Sequence, residues 1–254
     1  DTAQIYANEE CVGEAIGNSE IPREEIFLTT KIWRDFFTKG DLQISLETSL
    51  RKLQTDYVDL LLLHWPVPEV PLEETIKALM EVHKAGKARL IGVSNFTVDM
   101  MADCLEMGAD IACNQVEYHP YLSQKPVLDF IHSHNMFLTA YSPVARGKVL
   151  KDRTIRKIAA RYGKSPAQIV LRWLTQQDRV AAIPKAAKLK HMKENFDIFD
   201  FALSSESMEQ IDQLARPDGR LIRPEWEPDW DTAEEGHSIY GADLPRAEQS
   251  GEWV

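Results

Sequence analysis

Seven polar residues recur where predicted strands end on their C-terminal side: Asp1, Lys31, His64, Asn95, Gln115, Tyr141 and Lys185. An α/β barrel presents its active site at that end of its strands, so the recurrence marks a candidate site. Lys31 and His64 each close a run of mostly apolar residues, which places both side chains partly out of water. That position costs free energy unless partners meet them. Asp1 can pair with Lys31. Taken singly, each residue also fits an ordinary structural role: a capped strand end, a surface lysine, a satisfied core histidine. Taken together, they repeat at one end of strand after strand, and coincidence explains that less well.

The elements that must hold these residues alternate along the chain. EIFLTTKI (25–32), YVDLLLLHW (57–65), RLIGVSNF (89–96), IACNQVEY (111–118), FLTAYSPV (137–144) and VAAIPK (180–185) read as strands, nearly continuous in apolar character, as parallel strands covered on both faces should be. Between and after them DLQISLETSLRKL, PLEETIKALMEVHKAG, TVDMMADCLEMG, KPVLDFIHSHN, SPAQIVLRWLTQQ and SSESMEQIDQLA carry apolar residues at three-and-four spacing and read as helices. Gly86 and Gly108 stand where helices should end, Pro71 where one should begin, and Ser165 with Pro166 forms an N-cap and a first-turn proline. The alternation predicts an α/β fold with parallel pairing, as a closed barrel or an open doubly wound sheet. No GxGxxG follows a strand, so the usual dinucleotide fingerprint of the open sheet is missing.

The 29 Lys and Arg against 40 Asp and Glu give a net charge of -11 over 254 residues, which repels a phosphate backbone and argues against nucleic acid as a partner. A small basic pocket for one anionic ligand remains compatible with that average, because charge is screened with distance. Cys11, Cys104 and Cys113 are odd in number and lie outside any disulfide framework, which fits a reducing cytoplasm. No apolar run spans a bilayer and no secretory pattern opens the sequence, so a soluble protein is expected. One domain over 1–231 is expected, with 232–254 as a tail in loop. From about Arg216 onward the chain reads as loop, Trp226 and Trp230 as able to cover a pocket, and 236–254 as poorly ordered.

DTAQIY (1–6), TTKIW (29–33), DLLLLHWP (59–66), GVSNF (92–96), NQVEYHP (114–120), AYSPVARG (140–147) and IPK with ENF (183–196) occur in the order and spacing of aldo-keto reductase motifs. Over nearly the whole chain, to about residue 231, the sequence resembles that family. Within it the likeness is to bacterial 2,5-diketo-D-gluconate reductases of the B type, through DTAQIY, TDYVDL and DGRLIRPEWEPDWD. The resemblance implies a (β/α)8 TIM barrel and a catalytic tetrad of Asp1, Tyr6, Lys31 and His64. Carbonyl reduction builds negative charge on the oxygen, and donors already aimed at it lower the barrier. Tyr6 and His64 supply two such donors. A phenol near pKa 10 gives up its proton more readily beside a cation, the part implied for Lys31, and Asp1 keeps that ammonium charged and oriented. His64 serves mainly as a neutral donor. Trp33 and Trp65 either wall the substrate pocket and exclude water or simply pack.

The resemblance further implies NADPH as cofactor and no metal. Ser94, Asn95 and Gln115 would bond the carboxamide, Tyr141 would stack on the nicotinamide, and Ser142 to Gly147, with Val144 among them, would follow the pyrophosphate. Arg146 either contributes there or stays in solvent. Lys185, Lys188, Lys190 and His191 form a basic cluster for the 2'-phosphate, while Glu194 and Asn195 would meet the adenine. Ala186 and His191 stand where family members often carry Ser or Thr and Arg. An imidazole grips phosphate well only when protonated, so NADPH affinity is expected to fall as pH rises through the His191 titration.

The expected activity is reduction of small aldehydes, ketones and dicarbonyls such as 2,5-diketo-D-gluconate and methylglyoxal, by a cytoplasmic bacterial monomer. The alternatives are a cofactor-binding redox-sensing subunit without physiological turnover, and a structural protein that keeps the barrel. Arg220, Arg223 and His119 are candidate hosts for a substrate carboxylate. The opening DTAQIYANEE has no lead-in, and family members carry a hairpin, a strand and a helix before this motif. The expectation is a barrel lacking those elements, with little activity in the 254-residue chain alone.

Overall fold

The computed structural model describes residues 1–38 and 40–231. The expectations for 232–254 and for disorder over 236–254 therefore lie outside the described residues. Six strands are ordered as they come in the chain, β1 to β6, and the pairs β1–β2, β2–β3 and β5–β6 are parallel. The chain forms two compact units, divided after Asn114.

The first unit opens with a 3-10 turn, Gln4–Tyr6, and continues through α1 (Glu9–Gly17), β1 (Thr29–Ile32), α2 (Asp41–Leu53), β2 (Val58–Leu63), α3 (Leu72–Lys84), β3 (Ala88–Ser94) and α4 (Val98–Glu106). The strand β4 (Ile111–Glu117) begins in it. All residues of β1 and β2 are buried, the polar Thr29, Thr30 and Lys31 of β1 and Asp59 of β2 included. Leu42, Leu46, Leu50 and Leu53 bring the apolar stripe of α2 inside, each contributing about 1.5–3 kcal/mol of transfer free energy. Register sets Lys31 opposite Leu62. Helix α1 was not expected, because two glycines lower its propensity. Gly13 has a packing reason: a Cβ there would lie 2.4 Å from the Lys52 carbonyl oxygen, where α1 meets α2.

The second unit holds the end of β4, then α5 (Lys125–Ser133), β5 (Phe137–Tyr141), α6 (Arg153–Tyr162), α7 (Pro166–Thr175), β6 (Val180–Ala182), α8 (Leu189–Phe196) and α9 (Ser205–Asp212). Ser165 forms a full capping box with Gln168, as its sequence signature required. Helices α6 and α8 were not expected. Arg153, Arg156, Lys157 and Arg161 crowd the first and hide the inward face of Ile155, Ile158 and Ala159. The second was read as a basic cluster, not as a helix. All six strands are shorter than their apolar runs, β1, β5 and β6 most clearly: residues before Thr29 include a 3-10 turn at Arg23–Glu25, and β5 stops where Ser142 turns left-handed, φ 49°. After Arg216 the chain is irregular to residue 231, in agreement with the loop reading.

Candidate active site

The tetrad expected from the sequence assembles within the first unit. Lys31 is wholly buried, and its Nζ donates to Asp1 Oδ1 at 2.5 Å and to the Thr2 carbonyl at 2.9 Å. The ring of Tyr6 lies with its centroid 5.0 Å from the same nitrogen. His64 follows β2 directly and its backbone N–H is held by the Ile32 carbonyl at 3.1 Å. Its imidazole meets Tyr6 edge-on at 5.6 Å and Trp33 edge-on at 5.3 Å. Trp65 is buried.

Gln4 positions the tyrosine, and sequence reasoning missed it. Its side-chain amide donates to Ser45 and to Ser49 Oγ, 3.0 Å, while its Oε1 accepts the Trp33 N–H at 2.8 Å. One side chain thus ties the Tyr6 turn to α2 and to the end of β1. The available signal was a polar residue inside DTAQIY, two positions before the tyrosine.

Burial pulls the Lys31 pKa below the ordinary 10.5, while the charge and hydrogen bonding of Tyr6 act to keep it up. Burial first, and then the Lys31 charge, push His64 well below 6.5. His64 is therefore a neutral imidazole at neutral pH. Its Nδ1 is buried with no hydrogen-bond partner, so the tautomer with its proton on Nε2 is favoured. The arrangement offers an imidazole donor and a phenol 41% exposed, backed by an ammonium held by a carboxylate.

The remaining expected residues divide between the two units. In the first, Ser94 and Asn95 are buried at the end of β3, and Asn95 takes a left-handed φ of 64°. Its amide donates to the His64 carbonyl at 3.0 Å and to Ser94 Oγ at 3.1 Å, which couples this pair to the tetrad. In the second, Gln115 is buried in β4 and Tyr141 is half-buried at the end of β5. Ala145, Arg146 and Gly147 have positive φ in succession, so the loop after Ser142 and Val144 winds tightly. Arg146 is exposed. Lys185, Lys188 and Lys190 are exposed, and no ion pair engages them among the described residues. His191 is engaged: its Nδ1 lies 3.0 Å from Glu194 Oε2, near Asn195 on α8.

Each of the three carboxylate hosts considered from the sequence has an internal contact, although the buried His119 Nδ1 and Arg220 Nη1 have no hydrogen-bond partner among the described residues. His119 is wholly buried against Glu117 at 2.9 Å, Arg220 is stacked on Trp230 and Arg223 is paired with Glu227. Trp230 is buried beneath that guanidinium.

A model of the aldo/keto reductase family matches residues 1–216. The methylglyoxal reductase DkgB of Escherichia coli O157:H7 is 43% identical over 236 residues, 91% of this chain and 88% of that protein. A crystal structure described as a candidate 2,5-diketo-D-gluconic acid reductase B is 51% identical, with a TM-score of 0.90 over 91% of this chain and 83% of the other. A Gox0644 variant solved in complex with NADPH is 37% identical, with a TM-score of 0.81 over 87% and 80% of the two chains. At these identities the fold is the α/β barrel class expected from the sequence. Among the described residues no helix is long and apolar enough to cross a membrane.

Proposed function

Because the chain belongs to the aldo/keto reductase family, we propose that it is an NADPH-dependent reductase of small aldehydes, ketones and dicarbonyls, methylglyoxal and 2,5-diketo-D-gluconate among them, with Tyr6 as proton donor. The family makes it an oxidoreductase. The observation that carries the finer reading is the enclosure of Lys31 Nζ, with Asp1 on one side and the Tyr6 ring on the other, next to a neutral His64.

Bound NADPH supplies the hydride. The chain's residues suit such an anionic ligand. Three lysines after β6 lack ion pairs among the described residues, although the overall charge is negative. Ser94, Asn95, Gln115, Tyr141, Ser142, Val144, Lys185, Lys188, His191, Glu194 and Asn195 are the proposed cofactor residues. Glu194 competes with phosphate for His191 and shifts that work toward the lysines.

The protein's own groups handle the proton and the developing charge. Tyr6 donates its proton to the carbonyl oxygen, and Lys31 stabilises the phenolate left behind. Asp1 offsets the tendency of a buried ammonium to lose its proton. His64 donates from Nε2 and orients the carbonyl without charging. Trp33 and Trp65 keep apolar surface around the imidazole and exclude water.

The test pairs turnover with binding. Tyr6→Phe should lower NADPH oxidation with methylglyoxal by about 10²–10⁴-fold and leave the Kd for NADPH unchanged. Robust turnover by that variant rejects the assignment.

A further inference from the structure

We propose that Glu117 is a positioning residue that fastens the segment 216–231 beside Tyr141 and thereby sets cofactor affinity, an inference that rests on the reading of Tyr141 as a cofactor residue. Glu117 closes β4 and its carboxylate is wholly buried. A carboxylate removed from water is retained only where donors replace the lost hydration. Three do so here. The Leu221 N–H reaches Oε1 at 2.8 Å, the Ile222 N–H reaches Oε2 at 3.0 Å, and His119 Nε2 lies 2.9 Å from Oε1. Two successive backbone N–H groups converging on one anion form a small nest, closed here by a side chain more than 100 positions earlier in the chain.

The rest of the segment is fixed to the same place. The Arg216 N–H donates to the Tyr121 carbonyl at 3.2 Å. Gly219 passes so near that carbonyl that a Cβ would stand 1.7 Å from its oxygen, which forbids any side chain there. Arg220 is buried and lies flat on Trp230 at 3.5 Å. The Trp230 Nε1–H donates to Glu227 at 2.8 Å, and Arg223 donates to the other oxygen of Glu227 at 3.3 Å. Burial lowers the Arg220 pKa, whereas Glu117, then Tyr141, then Glu227 favour its charge. Tyr118, the residue after Glu117, donates its N–H to the Tyr141 carbonyl at 3.3 Å, which ties the Glu117 end of β4 to the Tyr141 end of β5.

A segment without helix or strand must find acceptors for its N–H groups elsewhere, and Glu117 supplies two of them. An amide in its place leaves Arg220 without its main counter-charge and sets an N–H group against two donors. The segment then loosens at 220–223, next to Tyr141. A purely structural role would lower thermal stability alone. A positioning role also weakens cofactor binding while the chemical step is spared.

Glu117→Gln and Arg220→Lys in the full chain separate the two. The measurements are the Kd for NADPH by calorimetry, KM and kcat with methylglyoxal, and the melting temperature. Glu117→Gln should weaken NADPH binding about tenfold or more and change kcat less than about twofold. Arg220→Lys keeps the charge but loses the flat stack, and should weaken binding about threefold. Wild-type Kd in both variants, with only the melting temperature lowered, overturns the inference. If Glu117→Gln does not fold, Arg220→Lys decides alone, and an unchanged Kd there is equally fatal. An unaltered protein that binds no NADPH brings down the reductase reading and this inference together. Unaffected variants of a protein that does bind it bring down only this one.

Discussion

Strand β2 carries a cluster of charged groups at each end, and the two are built on opposite plans. At its start, Asp59 accepts from Arg23 at 2.8 Å, from Arg89 at 3.1 Å and from the Leu28 N–H at 2.9 Å. Arg23 goes on to donate to the carbonyls of Ile26 and Tyr57, and both guanidinium groups lie over the Tyr57 ring, Arg23 at 4.2 Å and Arg89 at 4.1 Å from its centroid. At the other end of the strand, Lys31 is held short of its ordinary basicity and His64 keeps a buried nitrogen with no partner. The first cluster meets its polar demands internally. The second leaves some of them unmet, as a site does when it waits for a reacting group. Charge density alone does not separate a brace from an active site, whereas a destabilised buried ammonium beside a neutral imidazole and a part-exposed phenol does.

The comparison breaks if removing the unmet end leaves chemistry intact. Lys31→Met should reduce kcat/KM for methylglyoxal by about 10²–10⁴-fold, measured by NADPH oxidation, because the phenolate loses its cation. Removal of charge at the brace should act on folding instead. Asp59→Asn is expected to cost about 2–3 kcal/mol in chemical denaturation, less than for a fully enclosed pair because Arg89 reaches solvent, with kcat/KM per folded molecule unchanged. If the losses fall the other way round, the assignment of the two ends is wrong.

Acidity sharpens the contrast next. The folded protein holds His64 neutral with a pKa well below 6.5, whereas the unfolded chain protonates it near 6.5. The unfolded state therefore binds more protons as pH falls through 6.5, and stability should decline over that window. His64→Gln should flatten that decline in melting curves between pH 7 and 5. With NADPH saturating, kcat should show no histidine step near 6.5, while its alkaline limb, set by Lys31, should fall below 10.5. The smallest effect belongs to the aromatic spacer in the brace. Tyr57→Leu is expected to cost about 1 kcal/mol, read from the denaturation midpoint, with no kinetic change.

Much of this molecule can be read from local pattern. Nearly continuous apolar runs marked all six strands, because strands buried on both faces admit few polar residues, although β6 itself is only partly buried. Ser165 with Pro166, and the glycines at 86 and 108 with φ of 74° and 81°, gave away helix boundaries through chemistry confined to a few neighbouring residues. Asp1, Tyr6, Lys31 and His64 were nameable for the same reason: each sits in a short, distinctive string.

Tertiary structure alone decided how those strings are completed. That Gln4 braces Tyr6 against α2, that Glu117 receives N–H groups from Leu221 and Ile222, and that His119 and Arg220 are buried against internal partners depend on which distant segments meet. Helices α1, α6 and α8 escaped notice because glycines or charges mask a stripe that becomes meaningful only against its neighbour. Periodicity reports which face of an element avoids water. Which polar atom is satisfied, and by what, is settled only when the chain closes on itself, since hydrogen bonds and desolvation act over a few ångströms of space and not along the sequence.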